Sequence, residues 1–163
     1  MTSAALEVVI FIGIPASGKS TFYRERFAET HVLVSKDLMK SSRDRAGKQT
    51  RLIEEALGTG RCVVVDNTNP TVEDRAAIIE IAVRSGARIV GYYFGTDIAE
   101  ALRRNAKRAG RACVPDIAIR IIEAKMTRPR YDEGFDELRV VRIVKKAFVV
   151  EAASKSPAER IRS

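Results

Sequence analysis

Val8-Val9-Ile10-Phe11-Ile12-Gly13-Ile14-Pro15-Ala16-Ser17-Gly18-Lys19-Ser20-Thr21 is the stretch on which the fold turns. From Leu6 to Ile12 the run is apolar apart from Glu7 and does not alternate, the pattern of a strand covered on both faces of a parallel sheet. Gly13–Ser20 then satisfies G-x-x-x-x-G-K-[ST] at every fixed position. A helix is predicted from Ser20 to Glu29. In a strand–loop–helix of this kind the glycines let backbone N–H groups turn inward around phosphate oxygens, and the helix N-terminus adds partial positive charge. Lys19 brings a full charge to the β- and γ-phosphates, and the Ser20 hydroxyl can ligate Mg²⁺. Gly13, Ala16, Ser17, Gly18, Lys19, Ser20 and Thr21 are therefore the expected cradle for the phosphates of a nucleoside triphosphate.

Working outward, the same α/β alternation continues. Strands are predicted at His31–Ser35, Arg61–Asp66, Ala87–Phe94 and Leu138–Val144. Between them, Lys48–Leu57 reads as a helix with Ile53, Ala56 and Leu57 inward, stopped by Gly58 and Gly60. Thr71 and Asp74 form a capping-box pattern that opens a helix, with Val72, Ala76, Ile79 and Val83 as its expected buried ladder. Asp97–Ala109 carries the stripe Ile98, Ala101, Leu102, Ala106 and Ala109. Pro115 opens Asp116–Met126, with Ile117, Ala118, Ile121 and Ile122 expected inward. The predicted architecture is a P-loop NTPase fold: a five-stranded parallel sheet with helices on both faces and an arginine-bearing lid. Residues 1–150 form one domain, and the polar tail 151–163 is expected to be disordered.

Composition bounds the function. The 163 residues suffice for one domain with a real core. No apolar run approaches the roughly 20 residues of a membrane span, and Met1–Glu7 lacks a basic leader, so a cytoplasmic protein is expected. Cys62, Cys113 and the lone His31 have no metal-ligand spacing, and the thiols are expected to be buried. A net charge of +8 and a pI near 9.8 suit a polyanionic partner. The aromatics Phe22, Tyr23, Tyr92, Tyr93 and Phe94 are expected in the core rather than on a stacking platform.

The class of P-loop protein follows from what accompanies the loop. The chain has no Asn-Lys-x-Asp base-reading run, and Asp66 is followed by Asn67-Thr68-Asn69 rather than by a second acid. A small kinase fits better, in which an acceptor hydroxyl attacks the γ-phosphate. Ligands of an open parallel sheet bind beyond the carboxyl ends of its strands, where Asp37 and Asp66 fall. Asp37, flanked by Lys36 and Lys40, is the candidate general base, and Lys40 a candidate acceptor ligand. At about 100° per residue, Arg104, Arg108 and Arg111 share a flank of the cationic segment 103–111, which reads as a lid able to neutralise a transferring phosphoryl group.

Gly13–Thr21, Ser35-Lys36-Asp37, Val65-Asp66-Asn67-Thr68-Asn69-Pro70 with Arg75, and Arg104-Asn105-Ala106-Lys107-Arg108 before Val114-Pro115 together resemble the kinase module of 5′-hydroxyl polynucleotide kinases. The similarity spans roughly Leu6 to Val144. It implies ATP-dependent phosphorylation of a 5′-OH end of DNA or RNA, with Mg²⁺ at Ser20. Lys19 and Ser20 would hold the donor, Asp37 would be the base, Asp66 would support the site, and Arg104 and Arg108 would clamp the donor phosphates. The family usually carries arginine three residues after the catalytic aspartate. Lys40 stands there and lacks the bidentate fork. An Asp-x-Asp-Gly-Thr phosphatase signature is absent from the chain. Two other readings compete, a kinase of a small molecule or tRNA-linked group, and a nucleotide-binding module without turnover.

Overall fold

A computed structural model describes residues 4–39 and 43–160. The elements run β1 (Glu7–Ile12), α1 (Lys19–Arg26), β2 (His31–Val34), α2 (Arg45–Gly58), β3 (Cys62–Asp66), α3 (Val72–Arg84), β4 (Arg88–Phe94), α4 (Ile98–Ala106), α5 (Asp116–Lys125), β5 (Glu137–Val144), β6 (Ala147–Ala152) and α6 (Pro157–Arg160). The sheet order is β2-β3-β1-β4-β5-β6. β1 is parallel to both neighbours, with Ile10 opposite Val65 on one side and Phe11 opposite Tyr92 on the other. Strand order reverses at β1, which puts the topological switch point, and the crevice that goes with it, at the end of the P-loop strand.

Alternation along the central strands explains the continuous apolar runs. Val8, Ile10 and Ile12 join Val63, Val65, Ile53, Leu57, Ile78 and Ala82 on one face. Val9 and Phe11 meet Phe22, Val64, Tyr92 and Phe94 on the other. The second face is an aromatic cluster: Phe11 and Phe22 rings lie 5.8 Å apart, and Phe22 meets Phe94 edge-on at 5.5 Å. Phe22, Tyr92 and Phe94 are core residues as expected, while Tyr23 and Tyr93 are half-buried. Fully burying each such ring contributes roughly 1.5–3 kcal/mol. No helix among the described residues is long and apolar enough to cross a membrane.

Five differences from the sequence reading have physical causes. The sheet has six strands, because an antiparallel hairpin adds β6 to β5, with Ile143 opposite Phe148. The tail expected to begin at residue 151 instead completes β6. It then docks: the Tyr131 hydroxyl donates to the Ala153 carbonyl at 3.0 Å, and buried Glu159 accepts from the Asp132 and Ser156 N–H groups at 3.1 and 2.8 Å. In α3 the capping box at Thr71 and Asp74 is present, but the buried face is Arg75, Ile78, Ile79 and Ala82. Val72, Ala76 and Val83 flank it in solvent, since a buried arginine replaces the apolar residue that a pattern search demands. In α5, Ile119 is buried against Ile14, Ala16 and Ala101, while Ile117 and Ile121 are exposed, because only a narrow stripe of the helix meets α4 and the loop. Cys62 is half-buried and Cys113 exposed, so neither is the buried thiol expected.

Candidate functional site

The P-loop starts where β1 ends. A side chain at Gly13 would bring its Cβ within 2.9 Å of both Phe94 Cβ and Ser17 Oγ, so only glycine lets the backbone turn here. Its N–H donates to the Thr68 carbonyl at 3.0 Å, tying the loop to the segment after β3. Ala16 holds a left-handed φ of 63° and Gly18 one of 95°. For an alanine that conformation costs about 1–2 kcal/mol, strain of the kind that accumulates at ligand sites.

Lys19 opens α1 and turns back into the loop. Its ammonium donates to the carbonyls of Gly13 at 3.0 Å and Ile14 at 2.8 Å, and to Ser17 Oγ at 3.3 Å. Burial pushes this ammonium down to about 8; nearby Asp66 works against burial, Arg108 reinforces it, and Asp37 again opposes it. Ser20 Oγ donates to Asp66 Oδ2 at 3.0 Å. Burial holds the Asp66 carboxyl above its ordinary range, against the pull of Lys19 and of the Ser20 bond, and with a push from Asp37. The Ser20 hydroxyl and Asp66 carboxylate form an all-oxygen pair, which suits a hard cation such as Mg²⁺ that keeps most of its shell in water and phosphate oxygens. The described residues contain no group of three or more His, Cys, Asp and Glu that could cage a metal alone.

Asp37 lies in a 3₁₀ turn, Lys36–Leu38, directly after β2. Its carboxylate is exposed, yet close enough to enter the electrostatics of both Lys19 and Asp66. The crevice thus gathers Lys19, Ser20, Asp66 and Asp37 as expected from the strand ends. Lys40 lies outside the described residues.

On the other side of the loop a cavity of about 270 Å³ is lined by Ala16, Gly18, Thr21, Arg104, Arg108, Ile143, Lys146 and Phe148, with Glu25 at its rim. Arg104 and Arg108 do converge there, but not by the helical flank that periodicity suggests. α4 ends at Ala106, so Arg108 and Arg111 sit in the following loop, and Arg111 does not line the cavity. Arg104 pairs with Glu100 one turn earlier, and its Nη1 is buried with no hydrogen-bond partner among the described residues. Arg108 Nη1 donates to the Ala112 carbonyl at 3.3 Å. Asn105, buried, fastens the lid: its Oδ1 accepts from the Val114 N–H at 3.0 Å and its Nδ2 donates to the Val114 carbonyl at 2.6 Å. A polar residue amid the stripe of an amphipathic helix is the signal that could have pointed to it.

Two further parts escaped the sequence reading. The first is the β5–β6 hairpin, whose two tip residues, Lys145 and Lys146, hold φ of 49° and 65°. A tight hairpin turn with two positive φ values normally carries Asn-Gly, so Lys-Lys gives no turn signal. The second is the brace under the Asp66–Pro70 segment. Asn69 Nδ2 donates to the Phe11 carbonyl at 2.8 Å. Fully buried Arg75 donates to the carbonyls of Asn69 and Pro70 at 3.0 and 3.2 Å and forms a two-pronged pair with Glu133 at 2.8 and 3.1 Å. No local pattern marks Glu133, which arrives from 58 residues away.

Comparison with known proteins follows the same segments. The bifunctional polynucleotide phosphatase/kinase of Schizosaccharomyces pombe (strain 972 / ATCC 24843) is 30% identical over 139 residues, 83% of this chain and 33% of its own length. The putative bifunctional polynucleotide phosphatase/kinase of Acanthamoeba polyphaga mimivirus is 30% identical over 142 residues, again 83% of this chain and 33% of its own. The chain thus spans a third of the length of the curated relatives it matches. Among solved structures, a chain of the Pnkp1/Rnl/Hen1 RNA repair complex superposes with a TM-score of 0.63 at 25% identity, over 77% of this chain and 45% of that one. The family resemblance read from the four segments is borne out by these names. An AAA domain family model (AAA_33) matches residues 8–129, from β1 through the lid. Covering the P-loop, both acidic strand ends and the lid arginines, that match makes the chain a member of the AAA domain family.

Proposed function

We propose that this chain is a P-loop kinase that transfers the γ-phosphate of ATP to the 5′-hydroxyl end of a polynucleotide, with Asp37 as general base. The observation that carries the reading is the meeting of Lys19, Asp66 and Asp37 at one crevice, on a chain whose relatives are named polynucleotide phosphatase/kinases. The donor's phosphates would lie in the loop, where they displace the Gly13 and Ile14 carbonyls as partners of the Lys19 ammonium. Its nucleoside would enter the cavity between Gly18, Arg104 and the hairpin, with Phe148 and Ile143 as apolar walls. The unpartnered Nη1 of Arg104 is then a donor waiting for an anionic oxygen.

In the transfer, the acceptor hydroxyl is oriented by Asp37, which takes its proton as the new O–P bond forms. The bond between the γ-phosphorus and the bridging oxygen breaks, and ADP leaves with that electron pair. Lys19 and Arg108 neutralise charge spread over the transferring group. Mg²⁺, held by Ser20 and oriented through Asp66, would supply Lewis-acid stabilisation of the phosphate oxygens. Arg104 and Arg108 close the site against water, which disfavours hydrolysis over transfer.

The test is transfer of labelled γ-phosphate from ATP to matched 5′-OH DNA and RNA oligonucleotides and to nucleoside 3′-monophosphates. Product on an oligonucleotide, abolished by Asp37→Ala and by Lys19→Ala, supports the reading. Labelling of none of these acceptors, with transfer to a small hydroxylated metabolite instead, overturns it in favour of a small-molecule kinase.

A further inference from the structure

The Asp37 carboxylate is exposed and sits on a turn of three residues, so something must hold that turn for the carboxylate to face an acceptor. The turn closes on itself through backbone bonds, from the Leu38 N–H to the Ser35 carbonyl and from the Met39 N–H to the Lys36 carbonyl, both at 3.1 Å. Those bonds shape the turn but do not fix its place against β3: among the described residues Ser35 makes no side-chain capping bond, and Leu38 is exposed. Buried Met39 anchors its far end. At its near end, the N–H of Lys36, the residue before Asp37, donates to Asn67 Oδ1 at 2.9 Å. Asn67 directly follows Asp66, so this bond joins the ends of β3 and β2. The same amide donates through Nδ2 to Gln49 Oε1 on α2 at 2.7 Å. Gln49 is buried.

The orientations in this chain are dictated rather than chosen. A backbone N–H can only donate, so Asn67 must present its oxygen to Lys36. Its Nδ2 must then face Gln49, which is obliged to present oxygen in turn. A buried glutamine is tolerable only when paired, and among the described residues the side-chain bond of Gln49 is the one from the asparagine. Asp66 and Asp37 are thereby set from one strand end: Asp66 by the backbone, and Asp37 through the next residue's side chain.

We propose that Asn67, held in register by Gln49, is a positioning residue for Asp37, fixing the general base relative to Asp66 and the phosphate loop. This rests on the kinase reading above. Neither residue lines the cavity beside the phosphate loop, so the relay is expected to act on turnover and leave nucleotide binding alone. A misplaced base costs rate steeply, since displacement by about 1 Å can lower turnover on the order of a hundredfold.

The test is a matched set of variants with three readouts: kcat, KM and Kd for ATP, and hydrogen exchange at the Lys36 amide. Asn67→Ala and Gln49→Ala are expected to lower kcat by roughly ten- to a hundredfold, with Kd for ATP within about twofold of wild type. The double Ala variant is expected to be no worse than Asn67→Ala. The conservative changes rescue: the carboxylate of Asn67→Asp still accepts from Lys36, with Gln49 turned to donate, and the carboxylate of Gln49→Glu still accepts from Asn67. Asn67→Asp and Gln49→Glu should therefore each recover to within about threefold of wild type. Their combination sets two carboxylates against each other and should lose far more than the product of the singles. Lys36 amide exchange is expected to accelerate in Asn67→Ala and stay slow in Asn67→Asp. Losses that fall on ATP affinity, full additivity of the two alanine changes, or unprotected Lys36 in wild type would each overturn the relay. The exchange readout needs no turnover, so a wild type that phosphorylates no oligonucleotide overturns the kinase reading while the relay is still judged.

Discussion

Ser20 and Asp66 meet through a 3.0 Å hydrogen bond from hydroxyl to carboxylate, across 46 residues of sequence. The bond joins the first turn of α1 to the end of β3, which β1's pairing with β3 brings alongside the loop. A hydroxyl that already donates to a carboxylate keeps its lone pairs free for a cation. Ser20→Ala is therefore expected to raise the Mg²⁺ concentration for half-maximal phosphate transfer by about tenfold or more, with little change in thermal stability. A titration of rate against Mg²⁺ checks it. An unchanged Mg²⁺ requirement would remove Ser20 from the metal site.

ATP affinity should fall as pH rises through about 8, the value to which burial has lowered Lys19. Below that pH the free protein carries the ammonium that the phosphates need. Above it the proton must be taken up on binding, so Kd should rise by up to about tenfold per pH unit. Calorimetry in two buffers with different heats of ionisation would register proton uptake near pH 8.5–9 of roughly one per ATP bound. The stability consequence has the opposite sense. Between about 8 and the ordinary lysine value of 10.5 the unfolded chain binds more protons, so Lys19's penalty on folding fades as pH rises.

Arg75 is the residue whose loss should cost most stability. Removing its side chain leaves Glu133, itself almost buried, without that counter-charge and with the Arg130 N–H still donating to it, and strips two carbonyls of their donor. Arg75→Ala is expected to destabilise the fold by about 3–5 kcal/mol in urea denaturation. Arg75→Lys, which cannot fork to Glu133, should recover only part of it. A loss under about 1 kcal/mol would mean that water enters and satisfies the acid.

At the hairpin tip, Lys145→Asn with Lys146→Gly replaces two strained residues with the pair that favours positive φ. The double variant should gain roughly 0.5–2 kcal/mol of stability. It should also bind ATP more weakly, because Lys146 lines the cavity. Opposite signs in the two measurements are the signature; a gain in both would exclude Lys146 from donor binding.

Much of the parallel core was legible in the sequence because each of its signals is local. Val8–Gly13 needs no partner to read as a buried strand, and the P-loop spacing carries its own chemistry. Thr71 and Asp74 announce a helix start through a bond that spans three residues. What stayed illegible depends on distant pairing. Arg75 stands out in the sequence through the family segment, but nothing local says that it is buried until Glu133 is brought to it, and an apolar pattern alone places the inner face of α3 at Val72, Ala76, Ile79 and Val83. Asn105 reads as a break in a stripe until Val114 folds back on it. Asn67 reads as a turn residue until Lys36 and Gln49 converge on it. The lid arginines reach the expected place by a different route, since the helix stops at Ala106 and the loop carries Arg108 inward.

The hairpin has a consequence for how such a protein can change. Gly18 sits against it so closely that an added Cβ would lie 3.1 Å from Ile143 and 3.2 Å from Phe148. On the kinase reading these two side chains would wall the space for the donor's nucleoside, while the groups that act on its phosphates stand in the loop after β1, on α1, at the ends of β2 and β3, and in the lid at Arg104 and Arg108. Recognition of the donor's base and chemistry at its terminal phosphate are thus written in different stretches of the gene. Mutations in the codons for residues 143–148 could retune which nucleotide is accepted while leaving the transfer step untouched, which makes the two traits separately selectable.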